Sequence, residues 1–267
     1  MPAVVPANRT RVERPDDPSR RRFLRIVMHA AGGLFFLGGL EGVVRAGADP
    51  AAPDSYDWTR YYWAYAVDTA RCVGCGSCMR ACRAENNVPD TYYRTWVERY
   101  EIAEDGEAYV QVALGKDASF ETDGLPPSQV KLKAFFVPKL CNHCEQSVCS
   151  QVCPVGATYL TPDGVSLVDP EHCVGCGYCI QACPYGTRFK NPVTHTADKC
   201  TLCYHRISRG LKPACVQDCP VGARMYGNLK DSKSELKQIL RARRYTLLKP
   251  ELGTHPKCYY IGLDHEV

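Results

Sequence analysis

The 267-residue chain has no C-x-x-C-H, and so no means of attaching a c-type haem. It has neither G-x-G-x-x-G nor a P-loop, so a self-contained enzyme built on a flavin, nicotinamide or nucleotide-phosphate fold leaves no fingerprint. A secure membrane span is missing as well: the best apolar run, Ile26 to Leu40, holds four glycines and a histidine and is too short. Surplus charge is confined to one end. The formal net charge of +4 resides in residues 1 to 48, where eight arginines face Glu13, Asp16, Asp17 and Glu41; the remainder is balanced. The basic balance therefore offers no case for a nucleic-acid partner.

Cysteine is what the chain has in excess. Sixteen of seventeen fall into four quartets: Cys72, Cys75, Cys78 and Cys82; Cys141, Cys144, Cys149 and Cys153; Cys173, Cys176, Cys179 and Cys183; Cys200, Cys203, Cys215 and Cys219. The first and third read C-x2-C-x2-C-x3-C. The second and fourth lengthen only the middle loop, and Pro154, Pro184 and Pro220 follow the last cysteine of three quartets. This is the spacing by which ferredoxins hold [4Fe-4S] clusters. Three cysteines on a tight loop point at three corners of one cubane, while the fourth starts a short helix and ligates the partner cluster of a two-cluster module. Proline suits that helix start, because it lacks an N–H and fixes φ.

Two other uses of cysteine compete. A disulfide framework fits an exported chain with an even set, but it does not require the repeated C-x3-C-P ending. Zinc sites take two C-x2-C pairs without a third cysteine interposed. Four oxidised clusters with their thiolates bring the balanced remainder to about -8.

The N-terminus reads as a twin-arginine export signal: Ser19-Arg20-Arg21-Arg22-Phe23-Leu24-Arg25, the apolar run, then Ala46-Gly47-Ala48. A chain carrying preassembled clusters has to be exported folded, which is what that route does. The expected location is the periplasmic side of the cytoplasmic membrane. Cleavage after Ala48 competes with retention of residues 1–48 as an anchor.

Residues 49–267 make one substantial α+β domain of duplicated, bacterial ferredoxin-like modules, the repeat being visible at Cys153-Pro-Val-Gly-Ala, Cys183-Pro-Tyr-Gly-Thr and Cys219-Pro-Val-Gly-Ala. An insertion over about 90–138 is β-rich, with alternating stretches Tyr92 to Ile102, Ala108 to Leu114 and Val130 to Val137 around Asp105-Gly106. A hairpin is expected over Thr158 to Val168. Within the C-terminal region of about 230–267, Ser232-x-x-Glu235 offers a capping box for a helix through Arg244. An extended tail wraps on the body from Tyr245 to Leu263, where Pro250, Gly253 and Pro256 forbid a helix.

From Tyr62 to Leu263 the chain resembles the four-cluster iron-sulfur subunits of the molybdopterin oxidoreductase (dimethyl sulfoxide reductase) superfamily. It looks most like those of tetrathionate reductase, polysulfide reductase and formate-dependent nitrite reduction. The resemblance is carried by Arg71-Cys72-Val-Gly-Cys75, Ala84-Glu85-Asn86-Asn87, Cys141-Asn-His-Cys144, Ala197-Asp198-Lys199-Cys200 and Lys249-Pro250-Glu251-Leu252-Gly253-Thr254. Ser147 departs from the proline common at that position. The family's pattern implies crossed ligation. Cys72, Cys75, Cys78 and Cys219 would hold one cluster; Cys82, Cys200, Cys203 and Cys215 the next; Cys141, Cys144, Cys149 and Cys183 the third; Cys153, Cys173, Cys176 and Cys179 the fourth. With every position cysteine, no three-iron cluster is expected.

The resemblance further implies a non-catalytic electron-transfer subunit with no catalytic residue of its own. Its partners would be a multi-helix, quinone-interacting membrane subunit and a molybdopterin catalytic subunit or multihaem cytochrome c, through which it associates peripherally with the membrane. A free-standing periplasmic ferredoxin is the alternative.

Lys199 and Arg71 each precede the first cysteine of a quartet and are read either as cations raising cluster potentials or as solvated charges. His143, His172 and His205 neighbour ligands and are read as outer residues. Cys258 is read as a small buried hydrophobe. Tyr61, Tyr62, Trp63 and Tyr65 are read as a strand on the ferredoxin body, with a partner-binding patch as the alternative.

Overall fold

The computed structural model describes residues 56–120, 129–264 and 267. Residues 1–48, where an export signal is expected, lie outside the described residues, as do residues 121–128 of the insertion. Strand β1, Trp63–Asp68, leads into the first cysteine loop and helix α1, Ser77–Asn86. The insertion follows as β2, Thr95–Ala103, β3, Ala108–Val112, and β4, Lys131–Leu140. The second and third quartets carry α2, Val148–Gln151, hairpin β5, Thr158–Leu160, with β6, Ser166–Val168, and α3, Tyr178–Gln181. Hairpin β7, Arg188–Lys190, with β8, Ala197–Lys199, leads to the fourth, which carries α4, Tyr204–Ile207, and α5, Ala214–Gln217. The chain ends in β9, Arg224–Asn228, α6, Glu235–Ala242, β10, Tyr245–Thr246, and β11, Cys258–Ile261.

Four strands form the main sheet, in the order β10-β11-β1-β9. Every residue of β1 is buried, and its period of two divides the interior. Trp63, Tyr65 and Val67 join Cys258 and Tyr260 in a core that also contains Cys78, Cys141, Cys200 and Cys215. Ala64 and Ala66 face the other way with Ile261, against Leu236, Ile239 and Leu240 of α6. The small alanines let the helix lie close, while the large residues floor the cysteine region. Tyr56, Tyr61, Trp63 and Tyr226 stack in sequence, with ring centroids 5.1, 4.9 and 5.5 Å apart, so the aromatic group ahead of the first quartet packs on the body.

Three sequence expectations are corrected here. No helix starts at the fourth cysteine of a quartet: Cys153, Cys183 and Cys219 follow α2, α3 and α5, and Cys82 lies within α1. The tail does not merely wrap: β11 inserts beside β1 in parallel register, Tyr65 opposite Cys258 and Asp68 opposite Ile261. Its apolar run Tyr259-Tyr260-Ile261 fits a position buried on both faces better than a surface one. The N-cap of α6 is Ser234, without a side-chain cap bond, because residues 231–233 are already turned by Asp231, whose Oδ1 accepts from Lys233 N.

The insertion forms an antiparallel sheet in the order β3-β2-β4. It is not a separate body. Val97, Tyr100, Val137 and Leu140 belong to the same core as the cysteines, and β4 ends at Leu140, which delivers Cys141. No helix among the described residues is long and apolar enough to cross a membrane.

Candidate metal centres

All four quartets use one backbone device. The residue before the second cysteine lies in the left-handed region: Gly74 at φ +69°, His143 at +44°, Gly175 at +67° and Leu202 at +57°. That reversal turns two successive cysteines toward the same side. The C-P-x-G endings repeat a second one, at Gly156, Gly186 and Gly222. His143 and Leu202 hold a conformation that disfavours a side chain by about 1–2 kcal/mol, which is tolerated where an added constraint holds the loop. At Gly175 a Cβ would lie 2.2 Å from the His195 carbonyl oxygen, whereas at Gly177 it would meet nothing within 4 Å. Gly175→Ala is expected to lower iron content and melting temperature. Gly177→Ala is expected to cost about 1–2 kcal/mol of stability with iron retained. Iron assay and thermal unfolding check both.

The fold brings residues from different quartets together. Cys72 and Cys78, their thiols pushed up by burial, both feel Cys219. Burial likewise pushes Cys82 well up, with Cys215, Cys200 and Cys203 adding to it. Asn86 Nδ2 stands 3.7 Å from Cys82 Sγ and 3.8 Å from Cys203 Sγ. Cys82, Cys200, Cys203 and Cys215 line one small cavity together with Tyr65 and Leu140. Cys144 is held up at about 12 by burial, with Cys141, Cys149 and Cys183 adding. For the remaining set, α2, just ahead of Cys153, packs on α3, which carries Cys179. Against its partial burial, amides of residues 155–158 hold the Cys153 thiol below its ordinary value.

These surroundings suit anionic clusters. Backbone N–H groups donate to sulfur: Leu202 to Cys200 at 3.4 Å, Ala223 to Cys219 at 3.2 Å and Ala197 to Cys173 at 3.4 Å. Three donors, Asn142 Nδ2, His143 Nε2 and Arg224 Nε, and one acceptor, Asn142 Oδ1, are buried there without a protein partner. Such an excess of buried donors and cations calls for a bound acceptor of negative charge. None of the seventeen cysteines is joined in a disulfide. Among the described residues no three His, Cys, Asp or Glu side chains are grouped to hold a single ion.

The flanking residues separate. Lys199 is 1% exposed, so its reading as a solvated charge is overturned: Nζ is anchored on the carbonyls of Ser166 and, at 2.8 Å, Cys200. Arg71 is exposed beside Gly222. His143 is buried, Nδ1 accepting from Ser166 N at 3.2 Å. His172 and His205 are exposed and paired with Asp169 and Glu85. Cys258 is wholly buried in β11, and burial holds its thiol up at about 12. Arg188 and Arg224 are the residues that sequence reasoning missed. Both stand five positions after a C-P cysteine, a repeat signal that was available.

Comparison with known proteins points to the same class of cofactor. Residues 65–85 match the 4Fe-4S binding domain, and residues 132–229 match the 4Fe-4S dicluster domain. The chain is 38% identical over 260 residues to the B subunit of tetrathionate reductase from Salmonella typhimurium, covering 93% of this chain and 90% of that one. It is 48% identical over 201 residues to the B subunit of tetrathionate reductase from Archaeoglobus fulgidus, covering 75% and 82%. With the B component of polysulfide reductase from Wolinella succinogenes it shares 36% identity over 197 residues, 73% of this chain and 91% of the other.

Proposed function

Because this polypeptide belongs to the iron-sulfur subunits of the tetrathionate, polysulfide and dimethyl sulfoxide reductase type, we propose that its sixteen quartet cysteines hold four [4Fe-4S] clusters in crossed sets. The sets are Cys72/Cys75/Cys78/Cys219, Cys82/Cys200/Cys203/Cys215, Cys141/Cys144/Cys149/Cys183 and Cys153/Cys173/Cys176/Cys179. The subunit passes electrons between a quinone-linked membrane subunit and a catalytic molybdopterin or multihaem cytochrome subunit. It works on the periplasmic side of the cytoplasmic membrane, reached by the twin-arginine route.

Each bound cluster takes up and releases one electron at a time. The chain's own part is to hold, insulate and tune. The observation that carries the reading is the gradient of exposure along the sets. Cys75 in the first and Cys176 in the last are exposed, while all four cysteines of the second set are buried. Cys78 is close to Cys215, and Cys200 to Cys141, so the sets follow one another from one surface through the interior. Two exposed ends with a sealed middle suit entry of electrons at one face and exit at another.

Affinity purification from detergent-solubilised membranes tests it. About sixteen irons and sixteen sulfides per chain are expected, together with a quinone-reactive membrane protein and a molybdenum- or haem-containing partner. Recovery of this chain alone, soluble and abundant, would favour a free-standing periplasmic ferredoxin. Zinc without sulfide would end the cluster reading.

A further inference from the structure

Three side chains that normally seek water are sealed inside the cysteine region: Arg188 is 5% exposed, Lys199 1% and Arg224 2%. Among the described residues none of the three has a carboxylate within ion-pair distance. An isolated buried cation is strongly disfavoured unless negative charge faces it. What faces these three is cysteine sulfur, and each looks at two neighbouring sets.

Arg224 follows Cys219 by five residues and is electrostatically in reach of Cys72 and Cys78 of the first set. On its other side its Nη1 donates to Tyr65 Oη at 3.4 Å, and that hydroxyl lies 3.4 Å from Cys215 Sγ of the second. Lys199 is joined to Cys200 of the second set, donates to its carbonyl, and faces Cys141 and Cys149 of the third. Arg188 donates through Nη2 to Cys149 Sγ of the third set at 2.8 Å and faces Cys179 of the fourth. The two arginines occupy equivalent repeat positions. The same position after Cys153 is Thr158, whose Oγ1 accepts from Arg188 Nη1 at 3.3 Å. One repeat yields the space that the other's arginine fills.

We propose that every gap between neighbouring clusters is bridged by one buried cation, Arg224, then Lys199, then Arg188, and that these cations lift the reduction potentials of both neighbours together. Reduction adds negative charge to a cluster, so a fixed positive charge favours it. An electron on the adjacent cluster opposes it. A fixed cation leaves that repulsion unchanged and offsets it, allowing neighbouring clusters to be reduced at once. Placed against one cluster only, the cation would make a step in the path; placed between two, it keeps them level. Lys257 supplies the contrast. It is 4% exposed and faces Cys144 and Cys141 of the third set, with Glu145 and Asp163 on its other sides.

The inference rests on the four-cluster reading, and the experiment separates the two. Iron and acid-labile sulfide in the purified wild-type complex test the reading. EPR-monitored redox titration of Arg188→Gln, Lys199→Met, Arg224→Gln and Lys257→Met tests the inference. Each of the first three is expected to lower the reduction equilibrium of two clusters about tenfold, which is 59 mV for a one-electron couple, and to leave the others unmoved. Lys257→Met is expected to move one. A shift confined to a single cluster in the first three, or no shift, overturns the proposal. If the neutral variants shed iron, Arg188→Lys and Arg224→Lys carry the test. With the charge kept, their potentials should stay near wild type, and a tenfold fall would overturn it equally.

Discussion

Cys82→Ala in the intact chain is expected to remove about four of sixteen irons and to reduce electron flow through the assembled complex to background. The iron should be lost from the site built by Cys200, Cys203 and Cys215, not from the one built by Cys82's own quartet. Cys82 sits in the middle of α1, buried, in one cavity with those three, and Asn86 touches both its sulfur and that of Cys203. Alanine supplies no fourth thiolate, and the sealed surroundings admit no ready substitute ligand. The effect on electron flow is large because this set is interior. Mössbauer iron counts together with quinol-driven turnover of the complex decide the matter. Full iron with normal turnover would refute the crossed arrangement. Cys258→Ser, at a cysteine outside every set, is expected to leave iron unchanged.

Stripping the iron with a chelator is expected to unfold the described body cooperatively, with loss of near-UV circular dichroism and of the thermal transition. The cysteines are not appended to a core that would survive without them. Cys78, Cys141, Cys200 and Cys215 are members of the central apolar cluster, and Cys203 packs with Ala81 and Ala214. Without clusters the protein is left with cavities, buried thiols, and Arg188, Arg224 and Lys199 lacking their counter-charge. Structural metal sites supply on the order of 10 kcal/mol of folding free energy, against a net stability of about 5–15 kcal/mol for a typical domain. An apo form that kept a sharp transition near the holo melting temperature would show that the apolar core suffices.

The proposed ligand positions could be read from the sequence because cubane chemistry leaves a periodic trace. C-x2-C and C-x3-C-P survive even when a middle loop grows to place Cys215 far from Cys203. Hairpins with Asp-Gly turns, such as β5–β6, were readable for a similar local reason. Burial of charge was not. Lys199, Arg188 and Arg224 have the composition of surface residues, and only the fold shows that cysteines from all four quartets surround them. The parallel pairing of β11 with β1 was equally hidden, because no local signal announces contact between segments so far apart in sequence. Leu202 in the left-handed region shows how a site can override residue preference.

The place of β11 has a consequence for biosynthesis. Its position between β1 and β10 belongs to residues made long after β1, and the pairing cannot form while they remain inside the ribosome. Residues 63–68 must wait with one edge open until residues 258–261 have emerged. Closure of the sheet thus waits on a segment distant in sequence, so a polypeptide broken off before Cys258 stays open to chaperones and proteases.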